Sequence, residues 1–394
     1  MLGVEWEQLK INTNISHFNF CYKFDNNNII GYIIDALKVN TSVSNILFFE
    51  TNLKFHDWQY LSDLLSSSYC NLRKITIRGN KINEDSAKCL SDMLKTNSTL
   101  KSITFSECEM NIKCIKYLSE GIATNTSIEK FKLTNNHPQK YGSGPKTPKM
   151  RALGVECLKH LSKAIAINKT IKILDLSINN LNDESIRYLC EGLKTNNTIN
   201  TIHLFNNYFG GLGVKYICDI LKTNNKIHTI SLSGNYFGSD LHNNSAKYIG
   251  EVFKVNQALH TIDLSQNNLS DVGMKYLCDG LKENTTLEII KLIRNGIHLR
   301  GIGYLSDALK INHTLKKIYF DESNSSSDSF FDYTPCRLNT DECREYLIPA
   351  LEINTGITEI YGIDGLKYLL TPEYIEMKKK RFTKKSARSV YVDE

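Results

Sequence analysis

Proline is scarce, 6 in 394 residues, which excludes a collagen-like or Pro-rich extended chain. With 41% apolar and 23% charged residues the protein is globular and can bury a sizeable core. No apolar run approaches the 18 or more residues of a membrane span, so no membrane association is expected. The start, Met1-Leu2-Gly3-Val4-Glu5-Trp6-Glu7, lacks the basic flank and apolar core of a secretory signal. The eleven cysteines include no C-x-x-C pair and no Cys/His grouping at zinc spacing, so reduced thiols in a cytoplasmic protein are the simplest expectation. A formal charge of +6 is mild and concentrated in the last segment, which does not make a nucleic-acid footprint. The chain also lacks a Gly-rich phosphate loop, a motif-bound Ser/His/Asp or Cys/His arrangement and a metal constellation. These absences predict no enzyme, no cofactor, no metal and no small-molecule substrate.

What the chain has is self-similarity. Ile199-Asn200-Thr201-Ile202-His203-Leu204-Phe205-Asn206-Asn207 and Leu259-His260-Thr261-Ile262-Asp263-Leu264-Ser265-Gln266-Asn267 are two copies of the pattern LxxLxLxxN. The last apolar residue of each copy falls at Phe20, Phe48, Ile77, Phe105, Leu133, Leu176, Leu204, Leu232, Leu264, Leu292, Phe320 and, in degraded form, Gly362, giving twelve copies. The period is 28, with steps of 43, 32 and 42 where about 15, 4 and 14 residues are inserted. Between copies runs a helical stripe, such as Gly273, Tyr276, Leu277, Gly280 and Leu281, whose spacing of three, four, seven and eight puts all five on one face. A strand plus a helix cannot bury its apolar side alone but can when stacked.

On these residues the chain resembles the ribonuclease-inhibitor type of leucine-rich repeat over roughly residues 4 to 364. The resemblance implies an α/β fold: a right-handed solenoid, a curved horseshoe of about twelve repeats, with parallel strands on the concave face and helices on the convex one. Asn80, Asn136, Asn179, Asn207, Asn235, Asn267 and Asn295 share one position and are expected to form a structural ladder. Tyr32, Tyr117, Tyr188, Tyr216, Tyr248, Tyr276, Tyr304 and Tyr346 share another, where the residue four later, usually Gly or Ala, is expected to leave room for the ring between helices. Cys190, Cys218 and Cys278 read as small helix residues. Sequons such as those at Asn97, Asn125 and Asn168 recur because the repeat recurs and are not read as glycosylation sites.

Three segments follow. Residues 1–14 are expected to be an N-terminal capping half-repeat, with Trp6 and Leu9 over the first core layer. Residues 15–364 form the array, with insertions near 137–151, 238–244 and 323–336 on one rim; the first is basic, the last Ser-rich, acidic and aromatic. Residues 365–394 hold a capping helix from about Pro372 to Arg381 and a basic tail. The run Lys378, Lys379, Lys380 and Arg381 has the composition of a nuclear-import signal.

Function is expected on the strand face. Copies with Ser102, Thr104 and Ser106, or Thr229, Ser231 and Ser233, show the bland pattern of a surface with no need for bulk. Departures from it select Phe49, Arg78, Lys130 and Lys132 in the first half, and His203, Phe205, Ile293, Arg294, Tyr319 and Tyr361 in the second. Aromatics and Arg are the side chains that carry interface energy. A monomeric, non-catalytic scaffold that grips a globular protein through concave face and rim loops is the leading expectation. At fold level only, the chain also resembles the GTPase-activating protein for Ran, with Arg78-Gly79-Asn80 the nearest positional analogue, although the tail here is basic where that family's is acidic. A nuclear adaptor directed by the tail is the third reading.

Overall fold

The computed structural model describes residues 9–11, 14–21, 29–67, 70–136, 148–235, 237–239, 244–320 and 340–363. Two compact units divide the chain, Met1–Asn207 and Tyr208–Glu394.

The first unit alternates strand and helix: β1 His17–Cys21, α1 Ile29–Val39, β2 Asn45–Phe49, α2 Phe55–Ser66, β3 Lys74–Arg78, α3 Glu84–Thr96, β4 Ser102–Ser106, α4 Ile112–Thr124, β5 Lys130–Thr134, α5 Pro148–Ile167, β6 Ile173–Asp175, α6 Asp183–Leu193 and β7 Thr201–His203. The second continues with α7 Gly211–Leu221, β8 Thr229–Ser231, a 3-10 turn at Phe237–Ser239, α8 Asn244–Val255, β9 Thr261–Asp263, α9 Ser270–Leu281, β10 Ile289–Lys291, α10 Leu299–Leu309, β11 Lys317–Tyr319, α11 Thr340–Ile353 and β12 Glu359–Tyr361. Within each unit strand order follows chain order and neighbouring strands are parallel, as a helical crossover requires. The 28-residue period is visible in the register: Ile75 pairs with Ile103 and Ile103 with Phe131, while Ile262 pairs with Ile290 and Ile290 with Ile318. These middle residues are buried beneath the strand layer, and their neighbours point the other way.

After each strand the chain turns sharply. Glu50, Gly79, Glu107, Asn135, Ile178, Asn206, Gly234, Gln266 and Arg294 all hold φ between +51° and +69°, a left-handed conformation that costs a residue other than Gly roughly 1 kcal/mol or more. The asparagine that follows most of them satisfies the turn. In the first unit Asn136 accepts from the Cys108 N–H at 2.8 Å and donates to the Phe105 carbonyl at 2.8 Å. Thr51 and Cys108 stand at the same position; Thr51 donates its hydroxyl to Asn80, and the Cys108 thiol to the Ile77 carbonyl. The expected ladder is therefore present in both units.

A second asparagine ladder lies at the other end of the helices. Asn97, Asn125, Asn168 and Asn196 in the first unit, and Asn256, Asn284, Asn312 and Asn354 in the second, are buried. Asn284 is representative: its amide donates to the Phe253 carbonyl at 2.7 Å, at the C-terminal end of α8, and its Oδ1 accepts from the Thr286 and Leu287 N–H groups at 3.0 and 2.7 Å. Each such side chain thus supplies a partner to a helix-end carbonyl that no intrahelical N–H can reach.

The glycines of the helix stripe act differently from the expectation. A Cβ on Gly192 would lie 2.4 Å from the Ser162 carbonyl oxygen, and one on Gly280 would lie 2.2 Å from that of Gly250. These glycines let neighbouring helix backbones touch; they do not make room for a tyrosine ring. The rings instead lie half-exposed on the helix layer, where Arg187 stands 4.2 Å over Tyr188. None of the ten described cysteines is in a disulfide, and burial pushes the thiols of Cys108 and Cys157 up to about 12, far from a nucleophilic thiolate.

At the start, Leu9 is buried and its carbonyl accepts from the Asn40 amide at 2.5 Å. Trp6, the insertion residues 137–147, 240–243 and 323–336, and the whole segment 365–394, with its expected capping helix and the run Lys378 to Arg381, lie outside the described residues. No described helix is long and apolar enough to cross a membrane.

Candidate functional site

Alternation along each strand sends every second side chain out of the strand layer, and parallel pairing aligns them into rows across repeats. In the first unit the register sets Phe49 beside Arg78, and the Arg78 guanidinium lies 5.0 Å over the Phe49 ring. Arg78 also reaches Glu107 at 3.1 Å. These two of the four residues expected in the first patch are thus in contact.

Lys130 and Lys132 stand on β5, with β4 between them and Arg78. Lys132 instead lies 3.2 Å from Asp175, which pairs in register with His203. The Asp175 carboxylate also accepts from the Ser177 N–H at 3.2 Å, so it tightens the turn while it holds the lysine. Lys130 is exposed. Phe205, 38% exposed, has its carbonyl bonded by the Ile178 N–H at 3.0 Å. It belongs to the first unit, whereas Ile293, Arg294, Tyr319 and Tyr361 belong to the second, so the second expected patch divides between the units.

In the second unit, β11 and β12 bring Tyr319 and Tyr361 together as a parallel stack, with centroids 4.4 Å apart and planes 8° apart. Lys291, next in the row on β10, places its ammonium 5.6 Å from the Tyr319 centroid. The Tyr361 hydroxyl donates to Glu359, and Lys317 lies 2.7 Å from the other oxygen of that carboxylate. The bond to Glu359 pushes the Tyr361 phenol up to about 12, while Lys317 holds the Glu359 carboxyl below its usual range and is itself raised by it. Arg294 occupies the left-handed turn after β10 and is exposed; Ile293, half-buried, offers its carbonyl to the Gln266 N–H at 2.7 Å.

Lys317 and Glu359 were not singled out by the sequence reading. Their signal was present, since each stands two residues before its tyrosine in Lys317-Ile318-Tyr319 and Glu359-Ile360-Tyr361 and so faces the same way. Among the described residues no group of three or more His, Cys, Asp or Glu side chains gathers at metal-binding distance.

A family model described as leucine rich repeat matches residues 168–190 and 255–278. No curated protein matches the sequence. Among solved structures, the leucine-rich repeat-containing protein LegL7 from Legionella pneumophila is 14% identical, superimposes with a TM-score of 0.50, and is covered over 97% of its length by 84% of this chain. At that identity the likeness shows the fold alone. The leiomodin-1 actin-binding site 2 structure is 16% identical with a TM-score of 0.33, over 44% of this chain and 95% of that one, a superposition too loose to carry an argument. The chain thus carries leucine-rich repeats, matched in two segments, and each unit has the alternating parallel-strand and helix fold of such repeats. Proteins of this class serve generally as protein-interaction scaffolds and are typically non-enzymatic. The ribonuclease-inhibitor subtype rests on repeat length.

Proposed function

We propose that the protein is a non-catalytic scaffold that holds a globular protein partner against its strand face, with the rim insertions as secondary contacts. The stacked pair Tyr319 and Tyr361 supports this most directly: two large rings, Tyr361 being 41% exposed, stand where copies without a need for bulk carry Ser or Thr. Lys291, Lys317 and Glu359 hold the rings, and a preordered aromatic surface loses little side-chain entropy on binding. Tyrosine with flanking cations is the composition of an interface centre. In the first unit, Phe49 under Arg78 supplies a second ordered aromatic and cation pair.

The test compares affinity capture from source-cell lysate by the wild type, by a strand-face variant carrying Tyr319→Ser and Tyr361→Ser, and by a helix-layer variant carrying Tyr188→Ser and Tyr276→Ser. A partner kept by the helix-layer variant and lost by the strand-face variant is the expected result. Loss with the helix-layer variant alone would move the binding face to the other layer and overturn the reading.

A further inference from the structure

The residue just before each strand forms a further row along one rim of the strand layer. The register places Lys101, Glu129 and Lys172 in succession, and Lys172 and Lys101 both reach Glu129, at 2.9 and 3.7 Å. In the second unit the same row reads His228, His260, Glu288 and Lys316, and Lys316 reaches Glu288 at 2.6 Å. Side chains at this position therefore meet across adjacent repeats. At His228 and His260 the pair is two imidazoles.

We propose that His228 and His260 form a binding site for a divalent transition-metal ion of borderline softness, such as Zn2+, Ni2+ or Cu2+. Three observations carry it. The two ring centroids lie 5.3 Å apart. With a metal–nitrogen bond of about 2.1 Å and the ring centre about 1.2 Å beyond it, two imidazoles at adjacent corners of a tetrahedral or square site have centres roughly 4.6 to 5.4 Å apart. The rings thus stand at ligand spacing; they now meet edge to face at 83°, and with His260 held a shared ion requires only the His228 ring to turn about its side-chain bonds.

The second observation is the orientation of His260. Its Nδ1 lies 2.6 Å from the Ala258 carbonyl oxygen, which can only accept, so Nδ1 carries the proton and Nε2 keeps its lone pair for a ligand. A backbone carbonyl on the far nitrogen is the arrangement that fixes tautomer and aim in metal-bound histidines. Third, both residues are exposed, and their backbones are tied: the His260 and Thr261 N–H groups donate to the His228 carbonyl at 2.9 and 3.0 Å. The ligands sit immediately before β8 and β9, tied by those backbone bonds to the strand ladder, which keeps their spacing.

Glu288 follows in the row, but its carboxylate is bonded to Lys316, so two nitrogens and solvent make up the site. Imidazole nitrogen favours Zn2+, Ni2+ and Cu2+ over Mg2+ and Ca2+, which take oxygen ligands. The ligands must be neutral, so protons compete with the ion and affinity falls on acidification.

The experiment titrates the full chain with NiCl2, and separately with MgCl2, by isothermal calorimetry at pH 7.5 and 5.5, with the histidine ring signals followed by NMR. The expected result is one Ni2+ per chain at pH 7.5, broadening of the His228 and His260 signals, and affinity about tenfold or more weaker in His228→Ala, in His260→Ala and at pH 5.5; Mg2+ produces no change. Both side chains are exposed, so each variant keeps the wild-type urea midpoint, which is checked alongside. Ni2+ binding that survives in the double variant, or no binding by the wild type, overturns the site.

Discussion

Asn235 and Asn267 are joined across one repeat: the Asn235 N–H donates to Oδ1 of Asn267 at 2.9 Å, while the Asn267 amide returns a bond to the Leu232 carbonyl at 3.0 Å. Asn267 in turn donates its own N–H to Oδ1 of Asn295 at 3.0 Å. A fully buried side chain thus does for each turn what the strand hydrogen bonds do for the strand, and an amide carries on separate atoms both the donor and the acceptor that this requires.

Replacing Asn267 by Ala removes both halves at once and leaves a buried N–H and at least one carbonyl without a partner. The expected loss is roughly 2–4 kcal/mol, since each unsatisfied buried group costs about 1–3. Urea unfolding followed by circular dichroism measures it, with exposed Asn225→Ala as the control, expected within about 0.5 kcal/mol of wild type. A loss at Asn267 no greater than at Asn225 would refute the ladder.

Most of this architecture was legible before any coordinates. A 28-residue period and a strand-plus-helix unit leave stacking as the one way to bury the apolar side, and Asn at a fixed place in each copy marks the turn. The function of the helix glycines was not legible. Gly280 and Tyr276 are four residues apart on one face, which suggested ring packing, whereas the atom that Gly280 avoids, the Gly250 carbonyl oxygen, belongs to the neighbouring helix. Helix-to-helix distance is a tertiary quantity that spacing within one helix does not encode. Similarly, the strand-face candidates could be assigned to a face by alternation, but not to partners: that Lys132 is held by Asp175, and that Tyr319 stacks on Tyr361, depends on which rows the register aligns.

The glycine geometry gives two substitutions of opposite sign. Gly280→Ala gains about 1 kcal/mol of helix propensity, but its Cβ meets a backbone oxygen that cannot move without shifting a helix, a cost of about 1–3 kcal/mol. Net destabilisation of up to about 2 kcal/mol is expected. At Gly31 in α1 no described atom lies within 4 Å of the added Cβ, so Gly31→Ala is expected to stabilise by about 0.5–1 kcal/mol. Thermal unfolding of the two variants checks this: the midpoint should fall for one and rise for the other.

The second asparagine ladder bears on glycosylation. Asn97, Asn125, Asn168, Asn196, Asn284 and Asn312 each begin an Asn-x-Ser/Thr sequon, and each is buried with its amide spent on a neighbouring repeat. A glycan on any of them is incompatible with the stack. When the chain is directed through a glycosylating secretory pathway, the forms modified at these asparagines are expected to be readily digested by protease, and the resistant fraction to carry no glycan there. Intact-mass analysis after limited proteolysis distinguishes the two; a protease-resistant chain glycosylated at Asn284 would contradict the fold assignment.

The Tyr361–Glu359 bond makes a pH prediction whose sign follows from the two shifts. The phenol, raised to about 12 from an ordinary value near 10, keeps the bond intact below pH 10, and its contribution is lost as the pH rises from 10 through 12. The Glu359 carboxyl is depressed, so its bonds to Lys317 and Tyr361 persist above the ordinary carboxylate range and are lost as the pH falls through its lowered value. Absorbance at the tyrosinate band, read as the difference between wild type and Tyr361→Phe, should therefore show one phenol titrating late. In Glu359→Gln the charged acceptor is gone, and that phenol should return toward 10. The same substitution releases Lys317 and loosens the ring that Tyr319 stacks on, so if the stack supports binding as proposed, Glu359→Gln weakens partner capture while leaving both rings in place. A Tyr361 that titrates near 10 in the wild type would show that the strand-face arrangement around it is not held in solution.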